Sequence, residues 1–273
     1  VPELAALYPP TGDMGAALDR ALGGALGGAV PVAWLDSAPQ TNEVARSGVL
    51  LGGLLTIAAR TGMPLALMEI GSSAGLNLHA DCYRYDLGNA RHWGAEGAGV
   101  RIASDWRGDA PPLGAALRVA GRTGSDIAPV DPGDPDQRER MLSYIWPDQP
   151  ERLARAGAAL AHAAAHGPAV TRADAANWVE ARLAEAPPPG IARVLMHSIM
   201  WQYLPEETQR RISAAMQSAG ASAGPETPLA WLRLESDGDQ RTAPLSLTLW
   251  PGDETRVIGR ADWHGRFVEW RSA

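Results

Sequence analysis

Apolar positions along the chain follow two spacings. Helical spacing runs from Leu18 to Val30 and from Glu43 to Arg60, with a turn at Pro31 and Pro39 between these segments. Thr41 or Asn42 stands where a cap would begin the second helix, and Gly62 follows its end. The pattern then changes. Pro64-Leu65-Ala66-Leu67-Met68-Glu69-Ile70 is a short apolar run bounded by Pro and Gly, as expected of a parallel strand buried on both faces. Gly71 to Gly75 follows as a turn, and Leu76 to Cys82 reads as helix. Strand, Gly-rich turn and helix form the ligand-binding βα unit of α/β folds.

Periodicity is lost from residue 83 to 122. Tyr83 to Tyr85 and Val100 to Ile102 are expected as short strands of an inserted hairpin, and Ile127 to Val130 as a strand edge. Gln137 to Tyr144 and Pro150 to His166 read as a helical pair. Val170 is expected to close a strand before Asp174, and Ile191 to Met196 is a buried strand. Pro205 to Ser218 reads as an amphipathic helix with Glu206 and Glu207 in its first turn. Leu229 to Leu234 is a further strand, and Leu245 to Trp250 with Arg256 to Ala261 forms a closing hairpin around Pro251-Gly252-Asp253. The expected fold class is therefore α/β, with a Rossmann-like, mostly parallel sheet closed by an antiparallel β-hairpin. Residues 1–62 form an N-terminal helical cap on a 63–273 core, with an insertion at about 83–122.

Composition narrows the chemistry. The 24 basic residues of the 273 are all Arg, which excludes a lysine Schiff base or a P-loop lysine. Arg, Ala, Gly and Trp enrichment at the expense of Lys and Phe reads as coding bias. A net charge of -7 argues against a nucleic-acid partner. A single cysteine, Cys82, excludes an intrachain disulfide and fits a reducing, cytoplasmic setting. The 12-residue run Gly48 to Ala59 is too short to span a bilayer. Asp19 and Arg20 precede the apolar stretch Ala21 to Ala33, so no signal peptide is expected. His162 and His166 lie four apart on a helix without a third ligand at useful spacing, so no metal is expected.

The segment Glu69-Ile70-Gly71-Ser72-Ser73-Ala74-Gly75-Leu76-Asn77 resembles the first motif of class I S-adenosylmethionine (SAM)-dependent methyltransferases. In that family an acid ends the strand near the methionine part of SAM, before a Gly-x-x-x-Gly turn. The closing hairpin fits the same resemblance. Gly124-Ser125-Asp126-Ile127-Ala128-Pro129 resembles the family's Gly-x-Asp-x-x-Pro, whose Asp binds the ribose hydroxyls. Asp126 lies far beyond the ordinary distance of about 20 residues from the first strand, and the insertion accounts for the difference. Asp174-Ala175 resembles the segment that contacts the adenine amino group. The resemblance thus implies SAM held by Glu69, Gly71, Ser72, Ser73, Gly75, Asn77, Asp126, Asp174 and Ala175. Turn-forming and helix-capping roles compete for Asp126 and Asp174. Gln40 to Ser47, Ser73 to Leu78, Trp146 to Arg152, His197-Ser198 and His264-Gly265 also make the chain similar to a bacterial family of unknown function.

On the acceptor side, His197 and Ser198 end the strand where many methyltransferases face substrate, and His197 is a candidate general base. Asn42, Glu43, Arg46, Trp146, Arg152 and His264 are candidates to line a pocket for a small, anionic acceptor, with Arg152 offering a fork to a carboxylate or phosphate. Two other readings stay open. Gly71-Ser72-Ser73-Ala74-Gly75 is a literal Gly-x-Ser-x-Gly, the nucleophile elbow of α/β-hydrolases, with Ser73 as nucleophile and His264 downstream. The chain also suits a non-catalytic protein that keeps only a ligand pocket.

Overall fold

The computed structural model describes residues 6–7, 15–26, 39–167 and 170–271. Helix α1 spans Gly15–Leu26 and α2 Arg46–Thr61. The expected continuation of the first helix to Val30 and the turn at Pro31 lie outside the described residues. Helix α2 starts without the expected cap from Thr41 or Asn42. The Glu43 carboxylate instead accepts from the Ala45 amide at 3.0 Å. Gly62 closes the helix in the left-handed conformation (φ 67°).

Nine strands form one sheet in the order β5-β12-β11-β10-β9-β8-β1-β6-β7. Strand β1 is Leu65–Ile70, β6 Val119–Asp126, β7 Thr171–Arg172, β8 Ala192–Ser198 and β9 Leu229–Leu234. These five run parallel. From the β7 side, their chain order reads third, second, first, fourth, fifth, the doubly wound arrangement. Its switch point falls between β1 and β8, where ligands bind outside the carboxyl ends of the strands. Strands β10 (Ala243–Trp250), β11 (Glu254–Ala261) and β12 (Phe267–Trp270) extend the sheet as an antiparallel meander from β9. The expected hairpin is thus β10–β11, continued by one more strand.

Two covering layers follow from the alternation of side chains along β1, β8 and β9. Leu65, Leu67, Val194, Met196, Ala230 and Leu232 pack with α2 and with α4 (Pro150–His166). Met68, Ile70, Leu195, Leu229 and Trp231 pack with α5 (Ala175–Ala184) and α6 (Glu206–Ala221). Helix α2 is therefore one of the sheet's covering helices, and it lies close. A side chain at Gly52 would meet Trp106 at 2.6 Å and Trp270 at 2.7 Å. The apolar run expected to be a buried helix lies within α2. Among the described residues no helix is long and apolar enough to cross a membrane.

The middle of the chain departs from expectation. Strands β2 (Arg84–Asp86) and β4 (Arg101–Ala103) pair in parallel, and the antiparallel partner of β2 is β3 (His92–Trp93). The two segments expected as a hairpin are thus neighbours without being one. β5 (Asp105–Gly108) leaves this small sheet and pairs with β12. Residues 127–130, expected as a strand edge, are loop, because the strand is already complete in β6. Val119-Ala120-Gly121-Arg122-Thr123-Gly124-Ser125-Asp126 has no apolar run to announce it, yet it pairs with β1 along its length. Helix α3, Pro135–Ser143, is capped by Asp134.

Candidate functional site

The turn after β1 is built from its own backbone and the end of β6. Gly71 (φ 64°) and Gly75 (φ 73°) take left-handed conformations that glycine adopts without strain. At Gly71 a side chain would also collide with Met200, at 2.9 Å. The loops leaving β1 and β8 therefore abut at the switch point. The Ser72 hydroxyl is 2.7 Å from the Glu69 carbonyl and 3.2 Å from that of Ser125, so it joins β1 to β6. The Ser73 amide donates to Asp126 Oδ2 at 2.9 Å, and the Ala128 amide to Oδ1 at 2.9 Å. The expected helix at Leu76–Cys82 is a 3-10 helix with a kink at His79, too short and irregular to offer the dipole of a regular α-helix.

Glu69 ends this strand 3% exposed, and its Oε2 has no hydrogen-bond partner. Burial pushes its carboxyl up to about 8, with the Asn77 side-chain hydrogen bond opposing and the Asp126 charge adding to the rise. A buried carboxyl in this state is a poor structural element and a good receptor for a cation.

The segment before α2 lies across this turn. Gln40 Nε2 donates to the Ala128 carbonyl at 3.1 Å, and its Oε1 accepts from the Ser73 hydroxyl at 2.9 Å. Asn42 Nδ2 donates to the Ser72 carbonyl at 3.0 Å. Ser73 thus has an amide partner where the hydrolase reading needs an imidazole, although its φ of 53° has the strain of an elbow. His264 instead has its Nδ1 3.9 Å from Glu43.

Next to the turn is a knot of charge. Glu43 is buried and gripped by Arg152 (2.6 Å) and Arg155 (3.1 Å). Arg46, half-buried, donates to the carbonyls of Trp263 (2.9 Å) and Ser198 (3.5 Å). Burial pulls its guanidinium down from its ordinary value, opposed by Glu43 and Glu235. Three guanidiniums and the carboxylates of Glu43 and Glu235 thus crowd this end of the sheet. Trp146 takes no part: it is 70% exposed, so its expected place in the pocket is not realised.

Two further expectations change. His197 is fully buried, and Trp231 Nε1–H donates to its Nε2 at 3.0 Å. An indole only donates, so the neutral imidazole carries its proton on Nδ1 and gives it to Glu235 at 2.6 Å. With its lone pair taken, His197 is a strut and not a general base. The alternation along β8 also places it on the α6 face, opposite Glu69. There it lines a cavity of about 300 Å³ with Trp201, Ser213, Arg233 and Glu235. Asp174 caps α5, accepting from the Asn177 amide at 3.0 Å, and Ala173 next to it donates to the Asp126 carbonyl.

The structure thus gathers Glu69, Gly71, Ser72, Ser73, Gly75, Asn77 and Asp126 at the switch point, with Asn42, Glu43, Arg46, Arg152, Ser198 and His264 beside them. Gln40, Arg155, Met200 and Glu235 were not singled out by sequence. Gln40 precedes α2 and Arg155 lies in the second turn of α4, where polar residues read equally as surface. Glu235 follows Leu234, the last residue of β9, whereas Glu69 precedes Ile70 at the end of β1. It accepts from the Met200 and Trp201 amides and so shapes the β8 exit loop.

Fold and site together define an α/β protein with a doubly wound parallel half and a glycine turn beside a buried acid at its switch point. The chain belongs to the family of uncharacterised proteins conserved in bacteria designated DUF2332, whose family model matches residues 1–270. No curated protein matches the chain.

Proposed function

We propose that this protein is a SAM-dependent methyltransferase acting on a small, anionic acceptor. The observation that carries the reading is Glu69: a buried carboxyl with an unpaired oxygen, placed beside the Gly71–Gly75 turn at the switch point. The cationic amino acid end of SAM suits such a group, because a nearby positive charge restores the carboxylate that burial suppresses. Asn77 orients Glu69 by its hydrogen bond. Asp126, at the end of the neighbouring strand, suits the ribose hydroxyls, which would replace Gln40 in its reach. Gly71 and Gly75 let backbone approach the ligand.

When bound, SAM supplies an electrophilic methyl group whose transfer leaves a neutral thioether. The chain's part is alignment, since an in-line displacement needs acceptor and methyl held together more than it needs a base. The site has no free imidazole at β8, which agrees with an acceptor that is already anionic. Arg46, with Arg152 and Arg155 around Glu43, would hold its charge.

Calorimetric titration with SAM and S-adenosylhomocysteine tests the reading. Binding by the wild-type protein that is lost in both Glu69→Gln and Asp126→Asn supports it. An absence of binding at millimolar ligand overturns it. Transfer of labelled methyl to a panel of small carboxylates and phosphates then identifies the acceptor. Binding without transfer to any of them would leave a ligand-binding protein and overturn the catalytic part.

A further inference from the structure

Behind the glycine turn, on the side facing α4, three donor atoms meet that neither the proposed cofactor nor the acceptor pocket uses. Residues three apart on a 3-10 helix share a face, and this brings His79 and Cys82 together. Helix α4 passes over them and adds His162. A nitrogen from each imidazole and the Cys82 sulfur all lie within 4.8 Å of one another. Spacing along α4 offered His162 no third ligand. The fold provides its partners from a distant segment, while His166 stacks on the His162 ring at 4.3 Å.

Two observations separate this cluster from ordinary packing. His79 is 2% exposed and its Nδ1 has no hydrogen-bond partner; His162 Nε2 is likewise buried and unpartnered. Buried polar atoms nearly always find partners, so two orphaned imidazole nitrogens beside a thiol call for an occupant. The two rings stand edge to face, 4.9 Å apart at 83°.

We propose that His79, Cys82 and His162 bind a borderline-soft divalent cation of the zinc type. Thiolate and neutral imidazole are the donors such ions take, and hard cations such as magnesium or calcium prefer oxygen. In a tetrahedral zinc site, neighbouring donors lie about 3.5 Å apart, so binding draws these atoms inward by about 1 Å. The Cys82 proton leaves to solvent as the sulfur takes the metal. Asp81 stands next to the cluster, with Oδ1 3.7 Å from the sulfur, and is held by Arg122 at 2.6 Å. It or water completes the coordination. The bound ion would staple the segment carrying Asn77 to α4, and so steady the far side of the Glu69 pocket.

The full chain, stripped with chelator and dialysed, is titrated with Co²⁺ and then Zn²⁺. One equivalent of Co²⁺ should give an intense thiolate-to-metal absorption band and the visible bands of a tetrahedral ion, and Zn²⁺ should abolish them. Cys82→Ser should lose the thiolate band, and His162→Gln should weaken binding by about 100-fold or more, while His166→Gln leaves it within a few-fold. Far-ultraviolet circular dichroism confirms that each variant is folded. If Cys82→Ser does not fold, His162→Gln on the helix surface carries the comparison alone. No thiolate band in the wild type, or binding insensitive to His162→Gln, overturns the proposal. These readouts need no SAM, so they stand or fall apart from the methyltransferase reading.

Discussion

Glu69→Gln probes the pocket without changing its shape, since glutamine mimics the neutral carboxyl. The folded protein holds the Glu69 proton up to about pH 8, whereas the ordinary glutamate value is 4.5. Between these values the folded state binds more protons than the unfolded chain, so stability falls as pH rises. The contribution is whole below pH 4.5 and is lost as pH climbs through 8. At about 1.4 kcal/mol per pH unit, the interval amounts to roughly 5 kcal/mol as an upper bound, and relaxation of the buried site reduces it. Urea unfolding from pH 5 to 9 measures it as a difference between wild type and variant. The variant should gain on the wild type as pH rises, by about 2 to 4 kcal/mol at pH 9 relative to pH 5. The control for other titrating groups is built in, because they are common to both proteins. Parallel stability curves would refute the claim that Glu69 is protonated in the folded state.

Other consequences can be measured separately. Binding of SAM near pH 7 should release close to one proton, because a cation beside Glu69 restores its charge. Calorimetry in buffers of different ionisation enthalpy reads this number, which should fall towards zero above pH 9. Glu43→Ala leaves the half-buried Arg152 and Arg155 without their counter-charge and should cost about 2 to 4 kcal/mol in urea unfolding; a change below 1 kcal/mol would mean the pairs are solvent-screened. Gly71→Ala forces a left-handed alanine against Met200 and should cost about 1 to 2 kcal/mol or more, with weaker ligand binding. Glu235→Ala removes the acceptor for His197 and for the Met200 and Trp201 amides, and should cost about 2 to 4 kcal/mol and loosen 199–203 in hydrogen exchange.

What could be seen in the sequence depended on how each element makes its structure. β1, β8 and β9 are buried on both faces, so their apolar runs are visible, and the turn at Gly71–Gly75 is fixed by residues next to one another. β6 was hidden because its stability comes from pairing with β1; beyond Val119 and Ala120 it has no apolar side chain. The two-residue β7 is too short for any period. Motif residues marked the turn after β1, but the tautomer of His197 depends on Trp231, 34 positions away, and no spacing rule reaches so far. Trp146 shows the opposite error: an aromatic residue in a charged segment suggested a pocket, and the fold leaves it in solvent.

Strand β5 adds a temporal consequence to the sheet. It leaves the small sheet at residue 105 and pairs with β12 at residue 267, so its edge waits for almost the whole intervening chain to be synthesised. Until then Trp106, fully buried in the folded protein, has no Trp270 to rest on, and Gly52 has only one of its two tryptophans in the chain. Such long-range closure slows folding and leaves apolar surface open during it. A nascent chain halted before β12 would therefore present Trp106 and the bare edge of β11 to chaperones, and the mature protein would present neither.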